Sequence, residues 1–135
     1  MSIWIKGPAV AAAGLALVFL IPAASPKSDA GRGRTCFLSR NVESWAPQGI
    51  DAVNIKVHED YFRLNLAEAC PEIQEADRIK LAPRGGGTSL ICLHEAANAE
   101  VTAFSKVTGP RRCLVRDIVR LTPTEVASLS KREKP

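Results

Sequence analysis

Four cysteines, Cys36, Cys70, Cys92 and Cys113, are the side chains of this sequence best suited to covalent chemistry, and their spacing decides which chemistry that is. Structural zinc sites and thiol oxidoreductases both use close pairs such as C-x-x-C, which gather thiolates on one turn or set a sulfur beside the bond it attacks. No two of the four are that close. An even number of widely spaced cysteines in a short chain reads instead as two structural disulfides. Four cysteines can pair in three ways, and spacing alone does not choose among them. The preferred arrangement is nested, with Cys70–Cys92 closing a run of neighbouring elements and Cys36–Cys113 tying the start of the domain to its last strand. In the chain-entropy account such bridges contribute about 3 to 5 kcal/mol each, comparable with the whole stability of a small domain.

The other chemistry-bearing residues are few. His58 and His94 each precede an acid, Glu59 and Glu95, and a histidine–carboxylate pair can act as a general base toward Ser39, Ser44, Ser89 or Ser105. No serine lies in a nucleophile-elbow pattern, and both histidines fall at the ends of strand-like runs where solvated polar residues are expected anyway. Gly85, Gly86 and Gly87 suggest an amide cradle for an anion, but Thr88 and Ser89 follow where a phosphate loop needs lysine. The run reads as a plain hairpin turn. Trp45, Tyr61 and Phe62 are candidate walls of a ligand groove; Phe62 lies on an apolar face and belongs to the core, whereas the neighbours of Trp45 read as a loop that leaves it exposed for contact. Nothing in the sequence asks for a metal or a cofactor.

Charge adds a further candidate. Eighteen Lys and Arg against 14 Asp and Glu give a net charge of +4 and a pI near 9.1, too modest an excess for a nucleic-acid-binding tail. If Cys36 pairs with Cys113, then Arg32 and Arg34 converge with Arg111 and Arg112. Such a patch suits an anionic envelope component, phospholipid or lipopolysaccharide, or an acidic protein. A solvated charged face is the plainer reading of the same residues.

The elements that must position these residues fit in one domain. The chain has 135 residues, 46% apolar and 24% charged, which is ordinary globular composition. Lys6, the apolar stretch Pro8 to Ile21 and the small residues that follow have the order of a secretory signal, assigned to residues 1–24; residues 25–34 form a flexible leader, and residues 35–131 the folded domain. Export places the domain in the periplasm or outside the cell, where cysteines oxidise. Val53, Ile55 and Val57 alternate with polar residues, as do Phe62, Leu64 and Leu66, which predicts a β-hairpin with one buried face. A short helix starting at Cys70–Pro71 is followed by strand-like runs at Arg78–Ala82, Leu90–Leu93, Glu100–Phe104 and Cys113–Leu121. Thr122, Pro123, Thr124 and Glu125 match a capping box that opens a closing helix. The expected fold is α+β, mainly β: a small curled antiparallel sheet or partial barrel with two short helices, stapled by two disulfides.

Cys36-Phe37 with Arg40, Tyr61 with Arg63 and Leu64, the later cysteines Cys70, Cys92 and Cys113, and Val119 with Leu121, Thr122 and Glu125 form a pattern that spans most of the domain. It resembles a family of small secreted bacterial proteins known as domain of unknown function 6491. The resemblance implies an envelope location and structural bridges, and brings no activity, ligand or catalytic residue with it. The expected function is that of a non-enzymatic binding or envelope-interaction module. The alternatives are a small periplasmic hydrolase using His58 or His94 and a thiol-redox protein.

Overall fold

The computed structural model describes residues 36–135. The signal, the leader, Arg32 and Arg34 lie outside the described residues. Among the described residues there are eight strands: β1 (Cys36–Leu38), β2 (Val42–Gln48), β3 (Ala52–Val57), β4 (Asp60–Leu66), β5 (Arg78–Pro83), β6 (Leu90–Cys92), β7 (Ala99–Ser105) and β8 (Gly109–Arg120). One α-helix, α1, follows at Pro123–Ser128. Six strands form a curled antiparallel half-barrel in the order β2-β3-β4-β8-β7-β5, and β1 and β6 make a separate two-stranded ribbon.

The alternation in the sequence explains the central hairpin. Val53, Ile55, Phe62 and Leu64 are all essentially inaccessible, and Val53 stands opposite Leu64 and Ile55 opposite Phe62. Val101 and Ala103 on β7, Leu81 on β5 and Val115 and Ile118 on β8 continue the same apolar face. Phe37 and Ile91 close it from the ribbon, and the Phe37 ring stacks on Phe62 with centroids 5.0 Å apart. The mainly-β expectation therefore holds.

Four expectations are corrected. The second helix is absent: Pro71–Glu75 is a single 3-10 turn, because only Ile73 in it is buried and one anchor is too little to hold a longer helix. The residues around Trp45 form strand β2 rather than a loop, with Trp45 opposite Ile55 and half-buried against the core. Pro47 hid this strand, yet proline is tolerated there because β2 is an edge. Gly85–Gly87 is not a hairpin turn. β5 pairs with β7 and β6 pairs with β1, so the glycines carry the chain from the half-barrel out to the ribbon, with φ of +83°, +81° and +113° that other residues rarely adopt.

The fourth correction is the cysteine pairing. The bonds are Cys36–Cys92 and Cys70–Cys113, so the pattern is crossed rather than nested. Strand order is the cause. Cys36 and Cys92 are directly opposite on β1 and β6. β8 inserts between β4 and β7, which brings Cys113 to the segment that leaves β4, where the Ala67 N–H donates to the Leu114 carbonyl at 2.8 Å.

Helix α1 begins as its sequence predicts. The Thr122 hydroxyl accepts the Glu125 N–H at 3.2 Å, and the Glu125 carboxylate accepts the Thr122 N–H at 2.7 Å. That second bond, with the Thr122 side chain adding to it, holds the Glu125 carboxyl below its ordinary value. A carboxyl lowered in this way stabilises the fold above the ordinary carboxylate range, and its contribution fades as pH falls through the lowered value. We expect Thr122→Ala to cost about 1 kcal/mol in chemical unfolding at neutral pH, with most of the difference persisting in acid, because the backbone N–H that the Glu125 carboxylate accepts survives the substitution.

Candidate functional site

The most developed hollow with apolar walls, about 530 Å³, lies where β4 begins, β8 ends and α1 turns back. Its position follows from the sheet order. β4 and β8 are neighbours, and the Leu121 N–H donates to the Tyr61 carbonyl at 2.8 Å, so the end of β8 lies beside the start of β4. The capping box then redirects the chain at Thr122. Pro123, Val126 and Ala127 thereby form one wall, and Tyr61 with Leu121 the other. Pockets of this size with apolar walls and a few polar groups are the usual form of small-ligand sites.

The polar groups sit at the mouth. Arg120 and Asp60 form an ion pair at 2.7 Å, with the guanidinium also 5.6 Å from the centre of the Phe62 ring. Glu59 and Lys134 complete the rim. Lys134 reaches it because the C-terminal turn is fastened to the sheet. The Glu133 and Lys134 N–H groups donate to the Ser130 carbonyl, and the Asn54 amide donates to the Glu133 carbonyl at 2.8 Å. Asn54 is fully buried on β3, and its carbonyl oxygen accepts from Arg63 Nε at 3.1 Å. A buried amide whose donor and acceptor are both used is a specific anchor, since removing either partner would strand a polar group away from water.

A second hollow of about 620 Å³ lies along Gln48, Arg63, Asn65 and Arg116. Two of its polar groups are taken by Asp117: Asn65 donates to it at 2.6 Å and Arg116 Nε to its other oxygen at 3.0 Å, bonds that hold the Asp117 carboxyl below its ordinary value, while Gln48 Oε1 is buried with no hydrogen-bond partner among the described residues. It offers a ligand little apolar contact. The smaller first hollow is the better candidate.

No family model, curated protein or solved structure matches this chain. The site therefore rests on geometry alone.

Among the described residues, the candidates raised by the sequence do not converge on one site. Arg111 and Arg112 are exposed on β8, with Arg111 Nε 3.8 Å from Glu72, and the Cys36–Cys113 bond that was to gather them with Arg32 and Arg34 does not exist. The pairing that motivated a four-arginine patch is thus replaced, and Arg32 and Arg34 lie outside the described residues. His58 occupies the two-residue turn between β3 and β4 at φ +53°, 68% exposed, with Nδ1 3.6 Å from Glu43 rather than paired with Glu59. His94 is exposed in the 3-10 segment Leu93–Asn98 that follows the ribbon. Among the described residues no hydrogen bond joins a serine to either histidine, and no three His, Cys, Asp or Glu side chains converge as a metal site would need.

Of the three aromatics, Phe62 is core, Tyr61 lines the cleft and Trp45 lines a groove on another side of the sheet. Arg120, its partner Asp60 and Lys134 are not legible as a group in the sequence. They come from β8, β4 and the C-terminal turn, and no local spacing connects them. The capping box was the usable signal, because it fixes where α1 must turn back over the sheet.

Proposed function

We propose that this chain is an exported, disulfide-stapled binding module whose ligand is a small amphipathic molecule held in the cleft between α1 and β4. The cleft carries the reading: its walls are Tyr61, Leu121, Pro123 and Val126, and the charges among its described lining residues are Glu59, Asp60, Arg120 and Lys134. The apolar body of the ligand would lie against those walls and its polar head beside the Arg120–Asp60 pair, a group already neutralised and so inexpensive to approach. Two disulfides are compatible with an oxidising compartment. The signal-like order of residues 1–24 and the cysteine order that resembles the secreted family support the same location. An envelope lipid or lipid-like metabolite is the ligand class that fits such a compartment and such walls.

The test uses N-phenylnaphthylamine, an apolar probe whose emission rises on burial. The protein is expected to bind it saturably, and Ala127→Trp, which fills the cleft from an exposed position, should weaken binding at least about tenfold. Val107→Trp, at a site 85% exposed and far from the cleft in sequence and fold, should leave it unchanged. Equal binding by the Ala127→Trp variant would remove the cleft as the site. Export is checked separately by intact mass: material from the envelope should lack residues 1–24 and take up no alkylating agent without reductant.

A further inference from the structure

The two edge strands of the half-barrel, β2 and β5, face the same groove. This groove, about 410 Å³, is bordered by Val42, Ser44 and Trp45 on one side and by Ile79, Lys80 and Leu81 on the other, with Arg40 at the 3-10 turn that leads into β2. Each strand is paired on one side only, so each turns a row of unpaired backbone N–H and C=O groups toward the groove or the solvent beside it. We propose that this groove accepts an extended acidic peptide segment, which adds as a strand along β5.

The choice of β5 follows from the backbones. β2 is a poor template: its register with β3 shifts between Val42 and Ser44, and Pro47 has no N–H to donate. β5 keeps an unbroken register with β7 from Arg78 to Pro83, so its free edge is regular over five residues before the proline. An added strand alternates its side chains between two faces. One face meets the half-buried Trp45 and Ile79, which pack against the core, and so favours apolar residues. The other face runs beside Lys80 and Arg78.

The acidic preference follows from which charges are already taken. Glu43, the carboxylate that borders the groove, is engaged by Lys56 at 3.3 Å and approached by His58 at 3.6 Å. Among the described residues Arg40, Arg78 and Lys80 have no carboxylate within salt-bridge distance; Arg78 lies over the Phe104 ring at 4.4 Å. The same charges exclude two other occupants. A second copy offering its own β5 would set Arg78 and Lys80 against their equivalents, and the leader of this chain, residues 25–34, carries Lys27, Arg32 and Arg34 against the single acid Asp29. Edge lysines and arginines also guard sheets against unwanted pairing, and an acidic strand is the partner that such a guard admits.

The experiment measures binding of a fluorescein-labelled six-residue peptide alternating valine and glutamate to the oxidised protein by anisotropy. The valine–lysine counterpart and a glutamate peptide N-methylated at its two central amides serve as comparisons. Saturable binding of the glutamate peptide is expected, with loss of at least about tenfold for the N-methylated peptide, for the lysine peptide and for the Arg40→Glu/Lys80→Glu variant, and with slowed hydrogen exchange of β5 amides in the complex. Both substituted side chains are exposed, and unchanged disulfide content and circular dichroism confirm the fold of the variant. Equal affinity of the plain and N-methylated peptides would reduce the effect to surface charge and overturn strand addition. Absence of binding by the glutamate peptide overturns the proposal outright. Concentration-dependent dimerisation in sedimentation that the double variant abolishes would assign the groove to a second copy and overturn it as well. The α1–β4 cleft takes no part, so N-phenylnaphthylamine binding should persist in the double variant whichever result is obtained.

Discussion

Replacing Cys70 and Cys113 together by alanine is expected to lower the free energy of unfolding by about 4 kcal/mol, read as a shift of the urea midpoint. The bond closes a loop of 43 positions, and chain entropy for a loop of that length sets the magnitude. Its consequence is large because a domain of this size has only about 5 to 15 kcal/mol in total. Both sulfurs are buried, and the bond holds the Pro71–Glu75 turn, with the fully buried Ile73, against the sheet. Losing the bond therefore frees a core residue as well as a loop. The Cys36–Cys92 bond should behave differently. It joins directly opposed residues of a ribbon whose strands are three residues long, and such a ribbon does not persist unaided. Its removal should fray the ribbon first, seen as faster hydrogen exchange at Phe37 and Ile91 with the half-barrel amides still protected. A midpoint shift worth under about 1 kcal/mol for the Cys70/Cys113 variant would show that packing alone holds the turn.

Phe62→Ala is expected to cost about 3 to 5 kcal/mol, the range for truncating a large buried aromatic. Phe62 is 2% exposed, opposite Ile55 on β3 and stacked on Phe37 of the ribbon. It is thus the contact through which ribbon and half-barrel share one core. A double-mutant cycle with Phe37→Ala isolates that contact, and a coupling of about 0.5 to 1.5 kcal/mol is expected beyond the area terms. Simple additivity of the two truncations would show that the ribbon packs on the sheet without help from the ring pair.

The contrast between these two sites also explains what the sequence could tell. The Val53–Leu66 hairpin was legible because its period-two pattern is local and its turn is two residues long. β8 was recognised only from Cys113 onward, since Pro110, Arg111 and Arg112 look like loop residues until β7 is there to pair with them. β2 was lost to Pro47 and to the irregularity at Glu43, both tolerable only because that strand is an edge. The disulfide partners depended on where β8 inserts, a choice made by long-range pairing between β4 and β7, and no cysteine spacing encodes it. The cleft was legible in its parts, Tyr61 as a wall residue and Thr122–Glu125 as a helix start, but the Arg120–Asp60 pair joins groups sixty positions apart and needed the sheet order.

The crossed bridges have a consequence for what a protease can do to this molecule. The exposed link through Gly85–Gly87 is the natural place for a cut, yet both Cys36–Cys92 and Cys70–Cys113 span it. A single cut anywhere between Cys36 and Cys113 is likewise bridged by at least one of them. Such a nicked chain keeps its mass, gaining only one water, and runs as two fragments only after a reductant is added. Damage at the surface is in this way uncoupled from loss of the particle, and the exposed glycine link becomes a practical place to insert sequence.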